Sequence, residues 1–210
     1  MKRILIALVI FNSSAVFGGD YDHSVLRVRS VERNSAPGVA GFGSAVAVDL
    51  AEFGLTKGKY LLSAAHVIHD AASIDIELGA RWLAATVVYE DEDYDVCILK
   101  FDGEIEALEI AREVPERVIG VGFKFGKTPA SVNPGVCIAR STNHNKAMWR
   151  AALNIGPGCS GGGVMSRERR IAGIVIAGLA TETGDMREDV TIFVPCTVLR
   201  LWIREMTQSK

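Results

Sequence analysis

Gly158-Cys159-Ser160-Gly161-Gly162 is the stretch whose reading decides the fold. It fits G-x-S-x-G, a serine nucleophile on a strained strand-to-helix elbow. That elbow takes its base from further along the chain, in the order Ser, acid, His. Here the four histidines, His23, His66, His69 and His144, all come before Ser160. If Ser160 works with an imidazole and a carboxylate, the imidazole must precede it, and the order His, Asp, Ser fits. The partners then lie upstream, on elements that folding must bring to the serine.

The first partner is sought at strand exits. His66 follows Leu61-Leu62-Ser63-Ala64-Ala65, an apolar strand end and then small residues. Small neighbours let an imidazole sit at the strand's mouth, facing a cleft. His69 lacks this setting and reads as a surface residue. The second partner lies in Glu90-Asp91-Glu92-Asp93-Tyr94-Asp95. The alternation of Asp suggests a calcium loop, but Val96 stands where such a loop needs glycine for its sharp turn. Asp91 and Asp93 read as a solvated turn. Asp95 differs, because the buried strand Val96-Cys97-Ile98-Leu99 follows directly and shields it from water.

Leu62-Ser63-Ala64-Ala65-His66 closely resembles the Thr-Ala-Ala-His motif of trypsin-like proteases. Asp95-Val96-Cys97-Ile98-Leu99 resembles their Asp-Ile-Ala-Leu-Leu segment. With the Ser160 loop, the resemblance to the chymotrypsin-like serine peptidase superfamily covers nearly the whole chain. The compact spacing of His66, Asp95 and Ser160 is similar to the bacterial HtrA-like and glutamyl-endopeptidase-like branches. Ala152-Leu153-Asn154, Gly173-Ile174 and Ile192-Phe193-Val194-Pro195 look most like the HtrA-like branch. Lys210 follows soon after the last expected helix, so a protease domain without a PDZ domain is expected.

The resemblance implies roles. His66 would be the general base, Asp95 its orienting acid and Ser160 the nucleophile. The N–H groups of Gly158 and Ser160 would form the oxyanion hole. The specificity pocket would have its base near Asn154 and one wall at Ile176-Ala177-Gly178. No Asp stands at that base, so a Lys/Arg preference is not expected; an apolar pocket of small or medium size is. Partners would be protein or peptide substrates, with no metal and no organic cofactor. There is no H-E-x-x-H, and Gly120-x-Gly122-x-x-x-Gly126 has the wrong spacing for a dinucleotide loop. Cys159 stands where digestive relatives carry the Asp that pairs with a freshly cut N-terminus, so no zymogen switch of that kind is expected. Cys159 could be a packing residue, a disulfide partner or, as a minor alternative, the nucleophile itself.

Periodicity supports the same fold class. Alternating or apolar segments at 24–29, 44–50, 59–62, 74–78, 81–89 and 96–101 read as strands. Residues 104–117 read as a connector. A second series follows at 118–124, 135–140, 147–153, 162–165, 171–177 and 190–194. Residues 197–206 carry Val198, Leu201, Trp202 and Met206 on a helix-like face. The expectation is all-β: two six-stranded antiparallel barrels of the chymotrypsin type with a C-terminal helix. The N-terminal barrel spans about 20–103, the C-terminal barrel about 118–196 and the helix about 197–208.

Residues 1–18 read as a signal peptide. Lys2 and Arg3 precede the apolar run Ile4 to Phe11, which is shorter than the roughly 20 residues a membrane span needs. Cleavage is expected near 15–18, which implies a secreted or periplasmic protein without a stable membrane anchor. Export permits disulfides, but the spacing of Cys97, Cys137, Cys159 and Cys196 forms no framework, so at most one bond is expected. A formal net charge of -2 excludes the basic stripe of a nucleic-acid binder. Two rivals remain: an inactive binding protein on the same fold, and an esterase of the α/β-hydrolase type. The missing downstream histidine and the scarcity of helical segments oppose the second.

Overall fold

The computed structural model describes residues 23–33, 36, 39–55, 59–143, 146–180 and 186–208. The expected signal peptide and His144 lie outside the described residues.

Among the described residues, twelve strands precede one α-helix. The first six are β1 (Val25–Glu32), β2 (Gly41–Val48), β3 (Tyr60–Ser63), β4 (Ala71–Leu78), β5 (Arg81–Asp91) and β6 (Val96–Phe101). The next six are β7 (Arg117–Gly122), β8 (Ser131–Asn143), β9 (Lys146–Ala152), β10 (Gly163–Met165), β11 (Ile171–Ala180) and β12 (Met186–Pro195), and α1 (Cys196–Gln208) closes the chain. They form two closed barrels in the orders β1-β2-β3-β6-β5-β4 and β10-β11-β12-β9-β8-β7. Every strand pairing is antiparallel. Closure leaves neither sheet an open edge.

Successive side chains of a strand point to opposite faces, and here both faces find a core. In β6, Cys97, Leu99 and Phe101 fill the first barrel with Leu61, Ile76 and Val28. Val96 and Ile98 point the other way, into a larger cluster with Val46, Leu62, Val121, Ile174 and Trp202. This second cluster joins the barrels and underlies the helix. Burial on both faces explains why Tyr60–Leu62 of β3 and Val96–Leu99 of β6 read as unbroken apolar runs. A third cluster, including Val118, Leu153, Val164 and Phe193, fills the second barrel.

The connector is stitched to both halves. Val48 and Leu108 form a parallel bridge on the first barrel, and Ile110 and Ile171 form one on the second. The helix differs from the expected face. Cys196, Leu199, Trp202 and Ile203 are buried, whereas Leu201 is exposed. With Trp202 turned inward, helical periodicity selects Leu199, Ile203 and Met206 as its neighbours and carries Leu201 outward. Arg200 then reaches back to the first barrel, where its two terminal nitrogens meet the Glu52 carboxylate at 2.6 and 2.8 Å.

Candidate active site

β3 ends at Ser63, and a single 3-10 turn, Ala65–Val67, carries His66. Ala64 and Ala65 are buried, so the imidazole projects from a tightly packed exit. Asp95 stands one residue before β6 with φ 55°. Asp tolerates this left-handed backbone better than most residues, and the kink turns its carboxylate back onto the His66 turn. One oxygen, Oδ1, accepts the His66 backbone N–H at 2.8 Å. The other, Oδ2, lies 2.7 Å from His66 Nδ1. A carboxylate can only accept, so Nδ1 carries the proton and Nε2 of a neutral ring is left as the acceptor. The Asp95 backbone also receives the Ala65 N–H at 3.2 Å. Three contacts therefore fix the acid to the His turn. The Asp95 side chain is 23% exposed and the His66 side chain 48%, so the acid is the shielded member.

Ser160 comes from the second barrel, on the turn before β10. Its carbonyl accepts the Ser44 N–H at 2.8 Å, and the Gly161 N–H donates to Val175 at 2.7 Å. Gly161 has φ 81°, and a Cβ there would overlap the Ser44 carbonyl and the Ser63 hydroxyl. The serine loop thus packs on Ser63 and Ala64, immediately before His66. No hydrogen bond joins the Ser160 hydroxyl to His66 among the described residues. Such a contact is commonly loose in a free enzyme and tightens when substrate is bound.

Gly158 has φ 88°, and its Cβ would overlap the Phe123–Gly126 backbone. The Pro157 carbonyl is taken by the Phe125 N–H, and the Cys159 carbonyl accepts the Gly162 N–H at 2.8 Å. In a trans peptide the C=O and the following N–H point in opposite directions. The N–H groups of Gly158 and Ser160 therefore point away from these partners. Among the described residues neither donates to a protein acceptor.

Cys159 is 1% exposed and packs in the second barrel against Gly122. A thiol so placed cannot meet a substrate. All four cysteines are free, so none braces the loop through a disulfide. Burial pushes the Cys97 thiol far up, with the charges of Glu90 and Asp95 adding to the effect.

The proposed pocket residues are less uniform. Asn154 is exposed and accepts Lys124 Nζ at 3.5 Å. Ile176 is buried at a bulge in β11, and Ala177 and Gly178 are half-buried. Thr191, fully buried, pairs with Gly178 and donates its hydroxyl to the Leu153 carbonyl at 3.4 Å. Sequence reasoning missed Thr191 and Ser44. Both are polar residues inside apolar strands, and that contrast was the available signal. One group of possible metal ligands occurs among the described residues: His69, Glu90 and Glu92, all exposed, with their donor atoms within 4.8 Å of one another.

Two closed six-stranded barrels, with this His–Asp pair on one and the serine loop of the other packed beside it, define a chymotrypsin-type fold. The chain belongs to the trypsin-like peptidase domain family, whose model matches residues 41–174. It is similar in structure to the HtrA-type protease AlgW with a tripeptide, at 20% identity and a TM-score of 0.72, covering 90% of this chain and 62% of that one. It is also similar to the active form of the Rv3671c protease of M. tuberculosis, at 16% identity and a TM-score of 0.72, covering 89% and 82%. A serine endoprotease of Yersinia pestis matches at 20% identity and a TM-score of 0.70, covering 90% and 64%. The chain spans less than two thirds of the AlgW and Yersinia proteins. No curated protein sequence matches it. Fold and family together support a serine peptidase.

Proposed function

We propose that the chain is a serine endopeptidase working through Ser160, His66 and Asp95. The observation that carries this reading is the double link between Asp95 and His66, through Nδ1 and through the backbone N–H. It sets one tautomer and leaves Nε2 to take a proton. Ser160 attacks the scissile carbonyl as His66 removes its proton, and Asp95 stabilises the imidazolium. The N–H groups of Gly158 and Ser160 receive the oxyanion, each such donor contributing about 10²–10³ in rate. The tetrahedral intermediate collapses to an acyl-enzyme, and His66 protonates the departing amine. Water, activated by His66, then releases the acid product.

Peptides are the substrate class, a reading supported by AlgW, whose structures hold a tripeptide and a decapeptide. Asn154, Ile176, Ala177 and Gly178, with Thr191 behind them, form an apolar pocket for the residue before the scissile bond. Residues 1–18 direct export to the periplasm or the exterior, and 19–210 form the peptidase domain.

A fluorophosphonate probe tests the reading, applied to the wild type beside Ser160→Ala and Cys159→Ala. Labelling and casein cleavage are expected in the wild type and in Cys159→Ala, and neither in Ser160→Ala. Labelling that persists in Ser160→Ala refutes the serine mechanism. An unlabelled, well-folded wild type favours an inactive binding protein.

A further inference from the structure

Two exposed aromatic side chains lie close to the serine loop: Phe42 at 46% and Phe125 at 57% exposure. Large apolar groups left in water next to a reactive loop call for an occupant. Their backbones are tied to it. Phe42 precedes Gly43, where a Cβ would stand 3.2 Å from the Ser160 carbonyl. Phe125 donates its N–H to Pro157, the residue before Gly158. Gly126 closes the gap between them, since a Cβ there would lie 3.1 Å from Phe42 Cβ.

Both rings are held in place. The Arg27 guanidinium stacks 5.5 Å from the centroid of Phe42 and 5.1 Å from that of Trp82, and Phe42 and Trp82 lie 6.4 Å apart. Glu77 locks Arg27 at 2.7 Å, and Arg27 Nη1 donates to the Gly126 carbonyl at 2.6 Å. Phe125 has φ 57°, a backbone that a bulky residue adopts only under constraint. That conformation, fixed by the bonds to Pro157 and Arg27's hold on Gly126, keeps the ring exposed beside Gly158.

Position selects the occupant. β11 meets the serine loop through the Gly161–Val175 hydrogen bond, and β2, which carries Phe42 and Gly43, meets it separately through the Ser44 N–H on the Ser160 carbonyl. An extended peptide whose acyl portion runs along β11 must carry its departing portion across Phe42 and Phe125. We propose that Phe42 and Phe125 seat the first residues after the scissile bond, and that the substrates are peptides with apolar or aromatic residues there. This rests on the serine-peptidase reading above.

The test uses internally quenched peptides, identical up to the scissile bond, with either Leu-Phe or Ser-Asp directly after it. The readout is the ratio of the two kcat/KM values, which does not depend on the concentration of active enzyme. The wild type is expected to favour Leu-Phe by about tenfold, the scale of one apolar contact. Phe125→Ser and Phe42→Ser are each expected to flatten the ratio at least threefold, chiefly through KM for Leu-Phe. Phe125→Ser removes a ring that is 57% exposed, with Lys124 Nζ 5.7 Å from its centroid and no tie to Arg27's stack, so it keeps the test informative if Phe42→Ser loosens Arg27. A wild type that labels with fluorophosphonate and cleaves both peptides equally overturns the inference, as does a preference that survives in both variants. A wild type that neither labels nor cleaves overturns the serine-peptidase reading itself.

Discussion

Ser44 on the first barrel holds the serine loop of the second: its hydroxyl donates to the Gly158 carbonyl at 2.8 Å. The same oxygen accepts the Phe123 N–H at 2.9 Å, and the Ser44 N–H donates to the Ser160 carbonyl at 2.8 Å. Ser63, three residues before His66, donates its hydroxyl to the Ser44 carbonyl at 2.8 Å. The hydroxyl and N–H of Ser44 therefore join the two barrels, while its carbonyl ties it to the strand that leads to His66.

Replacing Ser44 by alanine removes the bond to Gly158 and leaves the buried Phe123 N–H unsatisfied. A buried group stripped of its partner costs about 1–3 kcal/mol. Thermal denaturation is expected to show a fall of roughly 2–4 °C for each kcal/mol lost. Peptidase assays are expected to show a larger loss in kcat than in KM, because the loop proposed to carry the oxyanion donors loses its anchor. An unchanged kcat would mean that the anchor is purely structural.

Asp95→Asn tests the tautomer argument. The amide keeps the shape but can present its NH₂ to Nδ1, which places the ring proton on Nε2. In this fold class such a change lowers kcat by about 10⁴. Steady-state kinetics on a peptide substrate check it, with circular dichroism showing that the fold is retained. A loss below about tenfold would contradict the assigned role of Asp95.

Gly161→Ala places a methyl group against the Ser44 carbonyl and the Ser63 hydroxyl, at φ 81°. Backbone strain of this type costs about 1–3 kcal/mol before the overlap is counted. Fluorophosphonate labelling is expected to disappear and the melting temperature to fall. Full labelling at the wild-type rate would show that the two segments are not packed as described.

The free thiols predict both reactivity and pH dependence. Burial pushes the Cys137 and Cys196 thiols from 9.0 up to about 11. The folded state therefore favours the protonated form. Stability from this source is intact below pH 9, falls as the unfolded thiols ionise above it, and is lost as pH rises through about 11. For Cys196, which is fully buried, the scale is about 2 kcal/mol. Urea titrations between pH 8 and 11 check the slope. Native protein is expected to react with a thiol reagent at Cys137 first, and a reducing agent is expected to leave the melting temperature unchanged. A melting temperature lowered by reduction would reveal a disulfide.

Much of the architecture was legible because its cores are written in strand periodicity. All twelve strands coincide with alternating or apolar runs, and the order His66, Asp95, Ser160 excluded the downstream-histidine elbow. Boundaries moved most where tertiary contacts extend a ladder, as in β8, which begins at Ser131 where the sequence suggests Gly135. The helix face was misjudged at Leu201, because periodicity alone does not say which of several apolar stripes meets the core.

By itself, the sequence determined the fold class and the residue types available for acyl transfer, since both depend on local order: which residue follows which, and at what period. Tertiary structure decided what requires two distant segments to meet. It turned Asp95 onto both donors of His66, buried Cys159 away from any substrate, and gave Ser44 its work between the barrels. A serine in an apolar strand carries no local mark of the carbonyl it will reach more than a hundred residues away. Only closing the two barrels against each other sets that distance.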